Sequence, residues 1–408
     1  MLWRTWFLFG SLCIILVAAR VYVVLHRDVP AGIQHPDVVR WLDEAGRAAN
    51  VVVKVSHQLG VELATWPVKM VVNAAARLIL GGFHENLFNI TIRHTTVDNV
   101  PVKIFLPDSA PSTGPVPTMV YFHGGGWTWL SVGVYSGFLA HFAKLSGLQI
   151  IAVDYRKAPQ YSFPVPLQDC LTATTGLEKR ANDFRILAGK LIVAGDGAGG
   201  NLAAAVAYSM NDKIAMQVLI NPALQIFDFE TSSYKETAEN LPGLSSAFRN
   251  VYHWLSYGGI SKDYLQFAIQ NKHLSQKIRQ SEFASFVDRK LYLPENKMVS
   301  RKRAGANFIV TSAFDAIATN ALYSPMMNDD LTRLPTLYMV TSQYDAYRDE
   351  GIMYAERLRK ARAIFRHKHY TGSFHGDVLL SGYGPLTFDI GRLILEDLNK
   401  DINSYLVT

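Results

Sequence analysis

The stretch LIVAGDGAGGNLAAAVAYSM, residues 191–210, decides the fold. Leu191 to Ala194 is a short apolar β-rich run, Gly195-Asp196-Gly197-Ala198-Gly199-Gly200 is a tight turn, and a small-residue helical pattern covers Gly199–Met210. Strand, glycine turn and small-residue helix start together describe the elbow that presents a nucleophile, written G-x-S-x-G. Its middle position here is Gly197, which has no oxygen to attack an acyl carbon. Glycine accepts positive φ without steric penalty, so it relieves strain that a serine would carry in the same turn. Gly195, Gly197 and Gly200 also match G-x-G-x-x-G, the dinucleotide-binding loop. That reading is weaker, because the loop follows a late strand and no acidic residue closes the unit about 20 positions on.

Two further motifs lie on either side of the elbow. His123-Gly124-Gly125-Gly126-Trp127 directly follows the apolar run Thr118–Phe122. Consecutive glycines after a strand let backbone N–H groups turn toward one point, as an oxyanion hole requires. Downstream, Asp345 follows the run Leu337–Thr341 and His375 follows Ile364–Tyr370. The order elbow, Asp, His is the chain order of α/β-hydrolases, with His375 as general base and Asp345 fixing its tautomer. Asp349 is a rival for the orienting role, one helical turn later.

The rest of the chain repeats the rhythm of the elbow. Apolar β-rich runs at Ile90–Val97, Val102–Leu106, Thr118–Phe122, Gln149–Val153, Leu191–Ala194, Met216–Ile220, Leu337–Thr341 and Ile364–Tyr370 alternate with helical patterns such as Phe138–Leu145, Glu350–Arg362 and Leu386–Leu398. The expected architecture is α/β: a mostly parallel eight-stranded sheet with helices on both faces and antiparallel strands at its start. Asp37–Leu80 and the strand-free insertion Gln225–Ala306 are candidates for a helical cap over the carboxyl ends of the strands. The expected division is an anchor over 1–27, a helical linker and cap over 28–88, and a catalytic-type domain over 89–408 with its insertion at about 225–306.

Composition excludes several classes of protein. The 408 residues carry 40 Lys and Arg against 34 Asp and Glu, and a net charge of +6 is too mild for a nucleic-acid partner at this length. The whole excess lies between Lys272 and Arg303, most simply a solvated surface insertion. Two cysteines, Cys13 and Cys170, cannot build a disulfide scaffold or a zinc cluster, and no metal or cofactor is expected. At the amino terminus, Thr5–Ala19 is apolar and uncharged, and Val21–Leu25 continues it beyond Arg20. Leu2 to Leu25, 24 residues, is long enough as a helix to cross about 30 Å of hydrocarbon, with Trp3 and Trp6 at one interface. The alternative is a signal peptide cleaved near Ala19, which would release a secreted protein. Asn89-Ile90-Thr91 is a glycosylation sequon, which points to a secretory compartment if used.

Taken in order, these motifs resemble the arylacetamide deacetylase and neutral cholesterol ester hydrolase group of the hormone-sensitive-lipase-like α/β-hydrolases. The resemblance covers the amino-terminal anchor, HGGGW at His123–Trp127, Val153-Asp154-Tyr155-Arg156-Lys157-Ala158-Pro159, GDGAGG from Gly195 with its helix, Asn221-Pro222-Ala223-Leu224-Gln225, Tyr344-Asp345 and Phe374-His375-Gly376. It implies a type II endoplasmic reticulum membrane protein with a lumenal α/β-hydrolase domain acting on lipophilic esters, amides or lipids. It also implies an oxyanion hole on the N–H groups of Gly124, Gly125 and Ala198. Two departures stand out. The family reads GDSAGG where this chain has Gly197, and the cysteines that members often carry after HGGGW and before the Tyr-Asp pair are here Thr128 and Ser342. The resulting expectation is a ligand-binding pseudoenzyme. The alternatives are a weak hydrolase using water activated by His375, or an active esterase of which Gly197 is a sequence variant.

Overall fold

The computed structural model describes residues 2–83, 87–294, 307–382 and 386–407. Its strands are β1 Ile90–Val97, β2 Val100–Pro107, β3 Val116–Phe122, β4 Gln149–Val153, β5 Ile186–Asp196, β6 Met216–Ile220, β7 Thr336–Tyr344 and β8 Phe365–Phe374. They form one sheet in the order β1-β2-β4-β3-β5-β6-β7-β8. β1 and β2 are a hairpin, closed by Asp98 and Asn99 at φ 47° and 68°. These short polar residues tolerate the left-handed backbone that such a two-residue turn demands. β2 also runs antiparallel to β4, and every later pairing is parallel.

The helices are α1 Leu2–Leu25, α2 Pro36–Gln58, α3 Trp66–Ile79, α4 Val132–Ser146, α5 Val165–Lys179, α6 Ala198–Ser209, α7 Ser232–Asn240, α8 Ala247–Gly258, α9 Leu265–Ile269, α10 Gln276–Arg279, α11 Arg289–Tyr292, α12 Phe308–Ala318, α13 Arg348–Lys360 and α14 Asp389–Val407. Successive residues of one strand point to opposite faces. Leu191 and Val193 accordingly enter a core with α5, α6 and α13, while Ile192 and Ala194 enter the one beneath α4 and α14. Burial on both faces explains why β4 and β6 are buried at every position and, apart from Gln149 and Gln217, apolar without alternation.

Several expected boundaries move. β5 begins five residues before the apolar run at Leu191, because Ile186 pairs with Val116 of the neighbouring β3 ahead of a register shift. α6 begins at Ala198, ahead of Asn201. The strand-free stretch after β6 continues past Ala306 through α12, capped by the Asn307 side chain, to β7. Residues 295–306, which end the expected insertion and carry the last part of the basic stretch, lie outside the described residues.

α1 has the 24-residue length expected of the amino-terminal segment. Among the described residues, however, no helix is long and apolar enough to cross a membrane. Arg20 interrupts the described apolar side chains of α1 and is tied to α2, with its Nε 2.6 Å from Glu44 Oε1. Arg27, just beyond α1, lies 3.0 Å from the same carboxylate and 3.2 Å from Asp43.

Candidate active site

The elbow lies where β5 passes into α6. Gly197 has φ 52° and ψ −113°, a backbone that side-chain-bearing residues rarely adopt. Its N–H donates to the Ile220 carbonyl at 2.9 Å, and its own carbonyl accepts from Asn201 and Ala223 at 3.1 Å each. The flanking glycines are required by contact. A Cβ on Gly199 would meet the Phe122 carbonyl oxygen at 1.9 Å, and one on Gly195 would meet the Gly199 carbonyl at 2.3 Å. Gly197 differs, because a Cβ there would face only the His375 ring, 3.3 Å from Cε1 and Nε2. The position reserved for a nucleophile thus points at the imidazole.

β7 and β8 end side by side, and their loops bring Asp345 to His375. His375 Nδ1 lies 3.1 Å from Asp345 Oδ2, an ion-pair contact slightly off the line of a straight hydrogen bond. The fully buried Asp345 also accepts from the Tyr347 N–H at 3.0 Å. Burial alone would lower the His375 pKa, but the Asp345 carboxylate, and Asp196 behind it, raise it above the ordinary histidine value. Asp349 is occupied elsewhere, accepting from Ser232 Oγ at 2.6 Å and Ser233 N at 2.8 Å and pairing with Arg348 at 2.9 Å.

The glycine loop after β3 is shaped from below. The buried His123 contacts its neighbour's carbonyl, with Nδ1 2.7 Å from Gly124 O, and stacks on Tyr155 at 4.6 Å. Burial lowers its pKa to about 3, so it is a neutral prop. Trp127, at φ 55°, is buried flat against Tyr257 with centroids 4.5 Å apart. Gly125 and Gly126 have φ 103° and 63°. Gly126 approaches His253 so closely that a Cβ would lie 2.4 Å from that ring.

Gly124 does not fit the oxyanion role that the resemblance implied. Its N–H donates to Asp196 Oδ1 and to Tyr135 Oη, both at 3.0 Å. Asp196 also accepts from Tyr121 Oη at 2.8 Å and Tyr135 Oη at 2.7 Å. The motif aspartate is therefore an internal anchor between the glycine loop and the elbow. Burial pushes its pKa up, against the tyrosine hydroxyls and the Gly124 N–H that favour the carboxylate. None of the described hydrogen bonds uses the N–H of Gly125, Gly126 or Ala198.

A cavity of about 390 Å³ opens over these groups, lined by Gly125, Gly126, Asp196 and His375. α2 and α3 contribute Leu42 and Ile79 to it, and α8 with the segment before it contributes Leu244, Arg249 and His253. Tyr135, Arg249 and His253 escaped the sequence reading because none belongs to a motif. They reach the site only through the packing of α4 and α8. Thr128 and Ser342 are both buried, and Ser342 Oγ is hydrogen-bonded to Ser373 at 2.7 Å and to Asn221 at 3.0 Å. The free Cys170 is buried in α5 and does not line the cavity. Asn89 is exposed at φ 51°, immediately before β1. Among the described residues no group of three or more His, Cys, Asp or Glu is placed to hold a metal ion.

Comparison with known proteins agrees with this geometry. A family profile described as alpha/beta hydrolase fold matches residues 119–271 and 277–379. Arylacetamide deacetylase of Bos taurus is 34% identical over 304 residues, 71% of this chain and 74% of its own length. Neutral cholesterol ester hydrolase 1 of Mus musculus is 28% identical over 405 residues, 93% of this chain and 96% of its own. Among solved structures, the hyperthermophilic esterase of Pyrobaculum calidifontis superposes with a TM-score of 0.60 at 23% identity, covering 88% of this chain and 98% of the esterase, a likeness of fold alone. With its eight-stranded sheet, elbow and Asp-His pair, the chain belongs to the alpha/beta hydrolase fold family, among the relatives of arylacetamide deacetylase and neutral cholesterol ester hydrolase.

Proposed function

We propose that this protein is a membrane-anchored, lumen-facing member of the family that binds lipophilic esters, amides or lipids without turning them over. The observation that carries the reading is Gly197: the elbow holds its backbone geometry and faces the His375–Asp345 pair, yet offers no hydroxyl. In such sites loss of the serine lowers kcat by about 10⁶-fold, leaving only what binding and the oxyanion hole supply. His375 stands as the proton acceptor, Asp345 as its orienting partner, and Gly125, Gly126 and Ala198 as the N–H donors toward a ligand oxygen. The helices α2 and α3, with the insertion after β6, act as the cap. The names of the relatives point to an apolar acyl or acetamide ligand, and the leucine-rich wall of the cavity suits one.

Two tests follow from this reading. The full chain is expected to resist labelling by a fluorophosphonate and to leave 4-nitrophenyl acyl esters uncleaved above background. Turnover that disappears in His375→Ala would overturn the proposal in favour of water activated by the imidazole.

The anchor rests on the apolar sequence of α1 and on the side chains that the next helices expose, among them Val51, Val52 and Val55 of α2 and Trp66, Val71 and Leu78 of α3. In cell fractions the protein should stay in the membrane pellet after alkaline carbonate extraction. Its electrophoretic mobility should increase with endoglycosidase H, and Asn89→Gln should abolish that shift. A carbonate-soluble, glycan-free chain would refute both the anchor and the lumenal placement.

A further inference from the structure

One charged side chain in the cavity has no use in holding a neutral ester. Arg249 of α8 lines the cavity together with His375, Gly125 and Gly126. Its Nη2 donates to the Leu244 carbonyl at 2.5 Å, and among the described residues no carboxylate pairs with it. Burial draws its pKa below the usual guanidinium range, against a smaller opposing pull from Tyr347 and Asp43. A desolvated guanidinium without a carboxylate is costly, and its planar fork of donors matches a carboxylate two-pronged. Asp196 is the one acidic residue in the cavity lining, and its oxygens are already held by two tyrosine hydroxyls and the Gly124 N–H. It therefore does not neutralise Arg249.

A second feature concerns the space at the elbow. A side chain added at Gly197 would touch only the imidazole, so Nε2 of His375 faces room that a serine would otherwise occupy. The imidazole contacts the buried Asp345, whose charge raises its pKa against burial, and the N–H groups of Gly125 and Ala198 have no acceptor among the described hydrogen bonds. Arg249, the His375 imidazole and Gly125 thus line one cavity, with the elbow glycine directly against the imidazole. The opposite wall is apolar, formed by Leu42, Ile79, Leu80, Leu244 and Leu379.

We infer that the cavity is a binding site for an apolar-tailed monocarboxylate, its head held by Arg249 and His375 and its tail lying along the leucine-rich wall. This rests on the reading that the site does not turn esters over. A free carboxylate is a product-like guest that would inhibit a working esterase, but it can be the resident ligand of one that has lost its nucleophile. Specificity then comes from charge, because the matching methyl ester has the same tail and no anion for Arg249.

The experiment compares laurate with methyl laurate on the detergent-solubilised full chain by titration calorimetry, while free laurate is followed by chromatography. The wild-type chain is expected to bind laurate at least tenfold more tightly than its methyl ester. Arg249→Met should lose about tenfold or more in laurate affinity and so narrow the preference for acid over ester, and Arg249→Lys should recover part of the loss. Equal binding of acid and ester by the wild-type chain, or an unchanged laurate affinity in folded Arg249→Met, would overturn the inference alone, whereas absence of binding by either would overturn it together with the ligand-binding part of that reading. Release of laurate from the methyl ester by the wild-type chain would overturn the inference and the reading beneath it together. The acid-against-ester comparison needs no variant, so it decides the question even if Arg249→Met fails to fold.

Discussion

Replacing Gly197 by serine is expected to raise the turnover of 4-nitrophenyl butyrate by about 10⁴–10⁶-fold, the reverse of what removal of the serine costs in related chemistry. The pair that would serve the hydroxyl is in contact, with His375 Nδ1 3.1 Å from Asp345 Oδ2. A Cβ at residue 197 would point at His375 from 3.3 Å, so the ring must give way by a few tenths of an ångström to admit it. Beyond that Cβ, a serine Oγ extends toward Nε2, the ring nitrogen not facing Asp345. The N–H groups of Gly125 and Ala198 are unspent and can receive the negative charge that develops on the acyl oxygen. The gain has a cost in stability. Serine at φ 52° and ψ −113° occupies strained backbone, worth on the order of 1–3 kcal/mol, so the variant should melt several degrees lower than the parent. Gly197→Ala shares that backbone cost without a hydroxyl and should melt low while staying inactive. Stopped-flow detection of an acyl-enzyme burst and covalent fluorophosphonate labelling give the readout. A folded serine variant without either would mean that the hydroxyl was not the only missing part.

Legibility of the fold followed burial. The eight strands could be read because the central ones are covered on both faces and so are almost wholly apolar, as in QIIAV of β4 and MQVLI of β6 with one glutamine each. α5 gives a fainter signal, because its core contacts, Leu167, Cys170, Ala173 and Leu177, are diluted by threonines of low helical propensity. The short helices α9 to α11 are no longer than five residues, too brief for any periodicity to register, and only the side chains that pin them reveal them. At the site, Asp345 and His375 were legible because each follows a strand end in the expected order. The glycine loop was legible as a turn, but not in its detail. A run of glycines says that the backbone can turn, while the direction of each N–H depends on Asp196 and Tyr135, which tertiary packing brings to Gly124. Arg249 carries no local signal at all, since an arginine in an amphipathic helix ordinarily faces solvent.

Within the Gly197→Ser background, Asp345→Asn is expected to lower kcat by about 10⁴-fold, whereas Asp349→Asn should leave kcat within a few-fold and chiefly lower stability. The two residues are four positions apart and both fully buried, and the sequence disfavours Asp349 only because it lies one helical turn later. Their partners separate them. Asp345 touches the imidazole, and its charge opposes the burial that would otherwise depress the His375 pKa. Asparagine at 345 removes that charge and can donate to Nδ1, which stabilises the wrong tautomer for accepting the serine proton. The sign of the pH effect follows directly. Turnover requires the neutral imidazole, and loss of Asp345 lowers the pKa of that ring, so the acid limb of the residual activity should move to lower pH. Asp349 instead closes a network of Ser232, Ser233 and Arg348 that joins α7 to α13. Breaking a buried pair of that kind costs about 3–5 kcal/mol, and it should appear in the melting curve without moving the pH profile. If Asp349→Asn abolished turnover while Asp345→Asn spared it, the orienting carboxylate would have to be reassigned, and the 3.1 Å contact between Asp345 and His375 would be structural only.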